Sequence, residues 1–278
     1  MHERTADDLG NPTAAERRVR QEWERSNVAE KRRNTAGRQR ISRAPARPTA
    51  LLDTGRIARA FSRPFTDTLR DPYPLGRNNW LHFDRCTSPQ IETLMGLMGM
   101  LHAYDPHTSQ HSMQVENLAA RLSTILGVDE EEQHVIRVAA VLHDIGKIAV
   151  PINILAKPAR LTSEEFEIVK KHPVVGAKII EPIAFLRPVV PLVLHHHEWF
   201  NGAGYQGGLS GEAIPFGARI LQTADCVDAM MSPRSYKQGY CIEKVVSELQ
   251  LGRGVQFDPQ VADAAINLLR EIPQRCMS

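Results

Sequence analysis

From Ser88 onward, apolar side chains return at helical spacing. Ser88-Pro89 reads as a helix opening, with serine as the cap and proline in the first turn. Ile91, Leu94, Met95, Met98, Leu101 and His102 then share a face as far as Tyr104, and Asp105-Pro106 breaks the run. The next helix carries His111, Val115, Leu118, Ala119, Leu122 and Leu126 and stops at Gly127, a natural C-cap. Asp129 with Glu132 opens another, which runs through Ile136, Ala139 and Ala140 into His143-Asp144. Thr162 with Glu165 is a second capping box, before Phe166, Val169 and Lys170. Further helices are predicted over residues 174–181, 185–197, 216–231, 242–251 and 259–270. No alternating strand pattern competes, so 88–272 is expected to be one all-α domain, a helical bundle with irregular loops.

The N-terminal third lacks this pattern. Residues 1–50 are polar, and 31–50 hold Lys31, Arg32, Arg33, Arg38, Arg40, Arg43 and Arg47 with no acid. So few apolar groups cannot offset ordering entropy, which predicts a largely disordered basic tail. Such a tail is either simply solvated or touches an anionic surface. Residues 51–87 mix Phe61, Phe65, Tyr73 and Trp80 with Pro64, Pro72 and Pro74 and are expected to form an irregular linker of unknown role. The overall charge of +2 does not announce a nucleic-acid binder. No stretch approaches a membrane span, and Met1 to Asp8 lack the apolar core of a signal peptide. The four cysteines are scattered without a Cys-x-x-Cys pair, which fits reduced thiols and a cytoplasmic location.

Chemistry concentrates at Val141-Leu142-His143-Asp144-Ile145-Gly146-Lys147. An imidazole, a carboxylate and an ammonium in an apolar run need compensation if buried. A divalent cation would compensate the nitrogen and oxygen donors, and a carboxylate can bridge two ions. A buried His–Asp pair that merely joins helices is the plainer alternative. His111, His172, His195-His196-His197 and Asp225 also fall on or beside apolar helix faces. Each alone is an ordinary helix residue, and His195 reads as helix surface. Together they call for shared compensation.

In order and spacing these residues resemble the HD-GYP subgroup of the HD phosphohydrolase superfamily. The matching text includes Leu142-His143-Asp144-Ile145-Gly146-Lys147, Leu155-Ala156-Lys157-Pro158, Lys171-His172-Pro173, His196-His197-Glu198 and Gly202-Ala203-Gly204-Tyr205. It continues through Ala224-Asp225, Asp228-Ala229-Met230, Arg234-Ser235-Tyr236-Lys237 and Phe257-Asp258-Pro259, so the likeness covers residues of about 100–270. The resemblance implies an HD-type bundle extended by C-terminal helices, holding two divalent transition metals, iron or manganese. It implies hydrolysis of cyclic di-GMP to linear pGpG, or onward to GMP, by a hydroxide shared between the metals.

By the same resemblance His111, His143, Asp144, His172, His196, His197 and Asp225 are metal ligands, with Asp144 bridging. Lys147 would meet the scissile phosphate, and Arg234 and Lys237 would hold the substrate's phosphates. His107 stands where three-metal members carry glutamate, which leaves a third metal open. The signature loop reads Gly204-Tyr205-Gln206, with glutamine in place of proline, and Asn201 replaces the usual aspartate. That loop would be the contact for diguanylate cyclase (GGDEF-type) partners, and a homodimer is a further expected assembly. The alternatives are a degenerate domain that binds cyclic di-GMP and signals by contact, or an HD hydrolase for another nucleotide.

Overall fold

A computed structural model describes residues 85–157, 159–205, 207–232 and 239–272. The expectations for residues 1–84, Gln206, Arg234 and Lys237, and for the His107 side chain, lie outside the described residues. The described residues are helical, and no strand forms among them. In chain order the α-helices are α1 (Ser88–Tyr104), α2 (Pro106–Ile125), α3 (Glu130–Leu142), α4 (Ile152–Leu155), α5 (Ser163–Val169), α6 (His172–Ile180), α7 (Val190–His195), α8 (Phe216–Met231), α9 (Ile242–Gly252) and α10 (Pro259–Arg270). Short 3-10 turns at Ile145–Ala149, Ala184–Val189 and Gly211–Ala213 join them.

Local chemistry sets most of the helix ends. The Asp129 carboxylate accepts the Glu132 N–H at 2.9 Å, and Glu130, Glu131 and Glu132 place negative charge on the positive end of α3. Thr162 and Glu165 complete the capping box of α5. Gly127 takes φ 68°, the left-handed geometry that closes a helix. At α1 the cap is Thr87 rather than Ser88, because the Gln90 side chain reaches back to accept the Thr87 N–H at 2.7 Å.

The helix expected over 185–197 is divided. Pro188 and Pro191 cannot donate to a helical ladder, so a 3-10 turn precedes α7, and α7 stops at His195. His196 and His197 therefore stand in the turn beyond it. His195, expected at the helix surface, is only partly exposed. Its side chain is 18% exposed and its Nδ1 is buried.

The core joins Leu94, Leu101, Leu122, Ile136, Leu142, Ile220, Leu221 and Leu249, all fully buried or nearly so. α8 runs through its middle, buried from Gly217 to Ala229 but for Arg219, and packs on α2, α3, α7 and α10. A helix enclosed in this way can carry polar groups only where they meet partners. Val150, Ile154 and Leu155 form a small second cluster with Tyr104, Leu161 and Val169, and the Tyr104 hydroxyl ties it to α1 by donating to the Val150 carbonyl at 2.6 Å. No helix among the described residues is long and apolar enough to cross a membrane.

Candidate metal centre

α3 ends at Leu142, which leaves the carbonyls of its last turn without helical partners. His143 turns back and its Nδ1–H donates to the Ala140 carbonyl at 2.7 Å. The same device recurs twice. His172 donates from Nδ1 to the Val169 carbonyl at 2.8 Å, beyond α5, and His196 donates to the Val193 carbonyl at 2.7 Å, beyond α7. A carbonyl only accepts, so each imidazole carries a proton on Nδ1, and in the neutral ring this leaves a bare Nε2 lone pair facing inward.

Those lone pairs converge. His143 Nε2 lies 3.3 Å from Asp144 Oδ2, and His172 Nε2 lies 3.3 Å from Asp144 Oδ1. His172 Nε2 and His196 Nε2 are 3.4 Å apart. With the ring protons committed elsewhere, these are acceptors facing acceptors, and His143 Nε2 is buried without a hydrogen-bond partner. His143, Asp144, His172 and His196 are each at most 2% exposed. Repulsion of this kind inside a low-dielectric interior is relieved by a cation set among the lone pairs.

The donors form three overlapping groups that could hold an ion: His111, His143 and Asp225; His172, His196 and His197; and, between them, His143, Asp144 and His196. Asp144 turns one oxygen toward His143 and the other toward His172. The structure thus gathers all seven residues that the sequence singled out as ligands. Imidazole and carboxylate without thiolate suit a divalent transition metal.

The glycine at position 146 makes this approach feasible. A Cβ there would lie 1.9 Å from the His172 carbonyl oxygen and 2.5 Å from the Gly176 amide nitrogen. Only a bare backbone lets the 3-10 turn press against α6 and bring Asp144 to His172.

One participant is Asp228, to which sequence reasoning gave no role. His111 Nδ1–H donates to Asp228 Oδ2 at 2.6 Å, which turns His111 Nε2 toward Asp225 Oδ1 at 3.0 Å. A carboxylate behind an imidazole fixes its ring and makes it a stronger donor. The signal was the spacing: Asp228 follows Asp225 by one turn of α8. Lys147 stands at the rim, partly exposed, with its ammonium 2.6 Å from Asp144 Oδ2.

Burial pushes His172 down to about 4, only partly opposed by Asp144, and pushes His196 down to about 3. Burial likewise holds His197 well below its ordinary value. For His111 burial acts downward too, but the carboxylates of Asp225 and Asp228 outweigh it and raise the group well above its usual range. Burial opposes ionisation of Asp144, yet the Lys147 ammonium overrides it and keeps the carboxyl well below its ordinary value.

A pH dependence follows for protein stripped of metal. Below the unfolded value of about 6.5 the open chain takes up protons that His172, His196 and His197 refuse when folded. Stability should therefore be fully present above that value and fall as pH drops toward 4, by about 1.4 kcal/mol per pH unit for each such histidine. His111 has the opposite sign. Its contribution is complete below the unfolded value and is lost only as pH rises through its raised folded value, so it adds no slope in this window. Urea midpoints of the chelator-treated chain between pH 6.5 and 4.5 measure the effect, and a level midpoint would contradict it.

The family model for the HD domain matches residues 96–261. Over 187 residues the chain is 37% identical to the cyclic di-GMP phosphodiesterase response regulator RpfG of Xanthomonas campestris pv. campestris, covering 66% of this chain and 50% of that protein. It is 38% identical over 184 residues to a cyclic di-GMP phosphodiesterase of Thermotoga maritima, covering 64% of this chain and 50% of that protein. It is 33% identical over 174 residues to the 3'3'-cGAMP-specific phosphodiesterase 2 of Vibrio cholerae, covering 62% and 33% respectively. The chain spans about half the length or less of these relatives. Among solved structures, a cyclic GMP-AMP specific phosphodiesterase of Vibrio cholerae superposes with a TM-score of 0.50 at 19% identity, covering 65% of this chain and 48% of that one, a likeness of fold. The chain belongs to the HD domain family.

Proposed function

We propose that this chain is a metal-dependent phosphodiesterase that cuts cyclic di-GMP to linear pGpG. The observation that carries the reading is the set of inward lone pairs on His143, His172 and His196 around the Asp144 carboxylate, which the Lys147 ammonium meets at Oδ2. His111, His143 and Asp225 would hold one ion and His172, His196 and His197 the other, with Asp144 shared. The donor set suits iron or manganese. Such ions supply a nucleophile at neutral pH and neutralise charge on a phosphodiester.

The chain's own residues do the rest. Lys147, at the solvent edge of the cluster, meets a non-bridging phosphate oxygen and stabilises charge there as the ester opens. Buried imidazoles exclude bulk water behind the ions. The curated relatives named above act on cyclic dinucleotides, and the 37% and 38% identical ones on cyclic di-GMP, which favours that substrate. A cytoplasmic setting goes with the reading: Cys86, Cys226 and Cys241 are free thiols.

The experiment is metal analysis of the full chain purified without oxygen or chelator, followed by chromatography of products from cyclic di-GMP and from 3'3'-cGAMP in parallel. Two metals and pGpG are expected. Preference for 3'3'-cGAMP would move the substrate assignment to the relative of that specificity. Metal-free, inactive protein would leave the contact-signalling alternative standing.

A further inference from the structure

We propose that Tyr205 is a positioning residue for His197, and through it for the His172–His196–His197 group alone, and that the buried Glu198 carboxylate sets its place. The inference rests on the metal reading above. The Tyr205 ring lies on the His197 ring, with centroids 4.9 Å apart and planes 29° from parallel. On its other sides His197 meets His196 at 4.0 Å and His172 at 5.1 Å. Tilting His197 would thus act directly on His172 and His196, whereas His111 and Asp225 belong to the other donor group.

The loop that presents Tyr205 is bracketed on both sides by one residue. A Cβ at Gly204 would come within 2.5 Å of the Glu198 Cα and 2.6 Å of the Trp199 amide nitrogen, so the chain doubles back directly over the backbone that follows His197. Past Tyr205, the Gly207 N–H donates to Glu198 Oε1 in a short bond. Glu198 is 1% exposed, and its second oxygen is buried without a partner. A carboxyl group enclosed in this way is costly without partners, and Oε1 has the loop's Gly207 N–H and, at 3.6 Å, His195 Nδ1. From the far side, Phe166 meets the Tyr205 ring edge-on at 6.3 Å, and the Lys170 ammonium stands 5.7 Å above it. The Tyr205 ring is therefore wedged between α5 and a cluster histidine.

The test uses the full chain loaded with Mn(II) and then dialysed against a weak chelator, with retained metal per chain as the readout. Wild type should keep two ions. Tyr205→Leu should keep one, its second ion held roughly ten- to a hundredfold more weakly, the loss usual when support behind a ligand is removed. Tyr205→Phe should keep two, because stacking survives. Glu198→Ala should behave as Tyr205→Leu does, and Glu198→Gln should recover the second ion, since an amide oxygen still accepts the Gly207 N–H. In a His197→Ala background, Tyr205→Leu should add nothing further. Retention of both ions by Tyr205→Leu, loss of both, or failure of Tyr205→Phe to restore the second would overturn the inference. A wild-type chain that binds no metal overturns the metal reading itself, before any variant is made.

Discussion

Asp144→Ala is expected to strip both ions and take phosphodiesterase turnover to background. The side chain turns Oδ2 toward His143 and Oδ1 toward His172, each at 3.3 Å, so it is the link between the two donor groups. Removing it leaves each group an open position and leaves inward lone pairs with less negative charge to attract an ion. Asp144→Asn keeps the shape and removes the charge, and should lose metal nearly as fully. Metal per chain and turnover, measured on the same preparation, decide it. Full metal content in Asp144→Ala would mean that the two groups bind independently, and the shared-carboxylate reading would fall.

Lys147→Ala should separate metal from turnover. The ammonium contacts the rim of the cluster through Asp144 Oδ2 and is partly exposed, whereas the proposed ligands are buried or nearly so. Metal content should stay at the wild-type value while kcat falls roughly a hundred- to a thousandfold, the usual cost of removing one group that stabilises developing charge. Wild-type turnover in this variant would make Lys147 a structural partner of Asp144 and no more.

Much of the fold was legible because its signals are local. Asp129, Thr162, Gly127 and Pro259 act within a turn of where they stand, so the ends of α2, α3, α5 and α10 could be read directly. The gathering of His111, His143, Asp144, His172, His196, His197 and Asp225 was legible through the order and spacing of a long motif series. What stayed hidden depends on contacts between distant segments. Nothing near Leu142 says that α3 stops there and that a 3-10 turn must follow. That depends on Gly146 meeting His172, which lies across the fold. Asp228 sits one turn beyond Asp225, but its meaning appears only once α8 is enclosed and α2 brings His111 to it. The part played by Glu198 requires a loop to fold back over its own root, a relation no periodicity records.

The two donor groups are not equals. One contains the Asp225 carboxylate and an imidazole backed by Asp228, so anionic charge reaches its ion directly and through a ring. The other consists of three imidazoles, two of them backed only by neutral carbonyls, and shares just one oxygen of Asp144. A carboxylate behind a ligand strengthens it more than a carbonyl does. On the proposed reading the ions therefore leave in a set sequence, the histidine-held one first. Metal scarcity would then silence the protein by half-emptying a centre whose surrounding helices stay in place, and a resupplied ion would return to a seat already built.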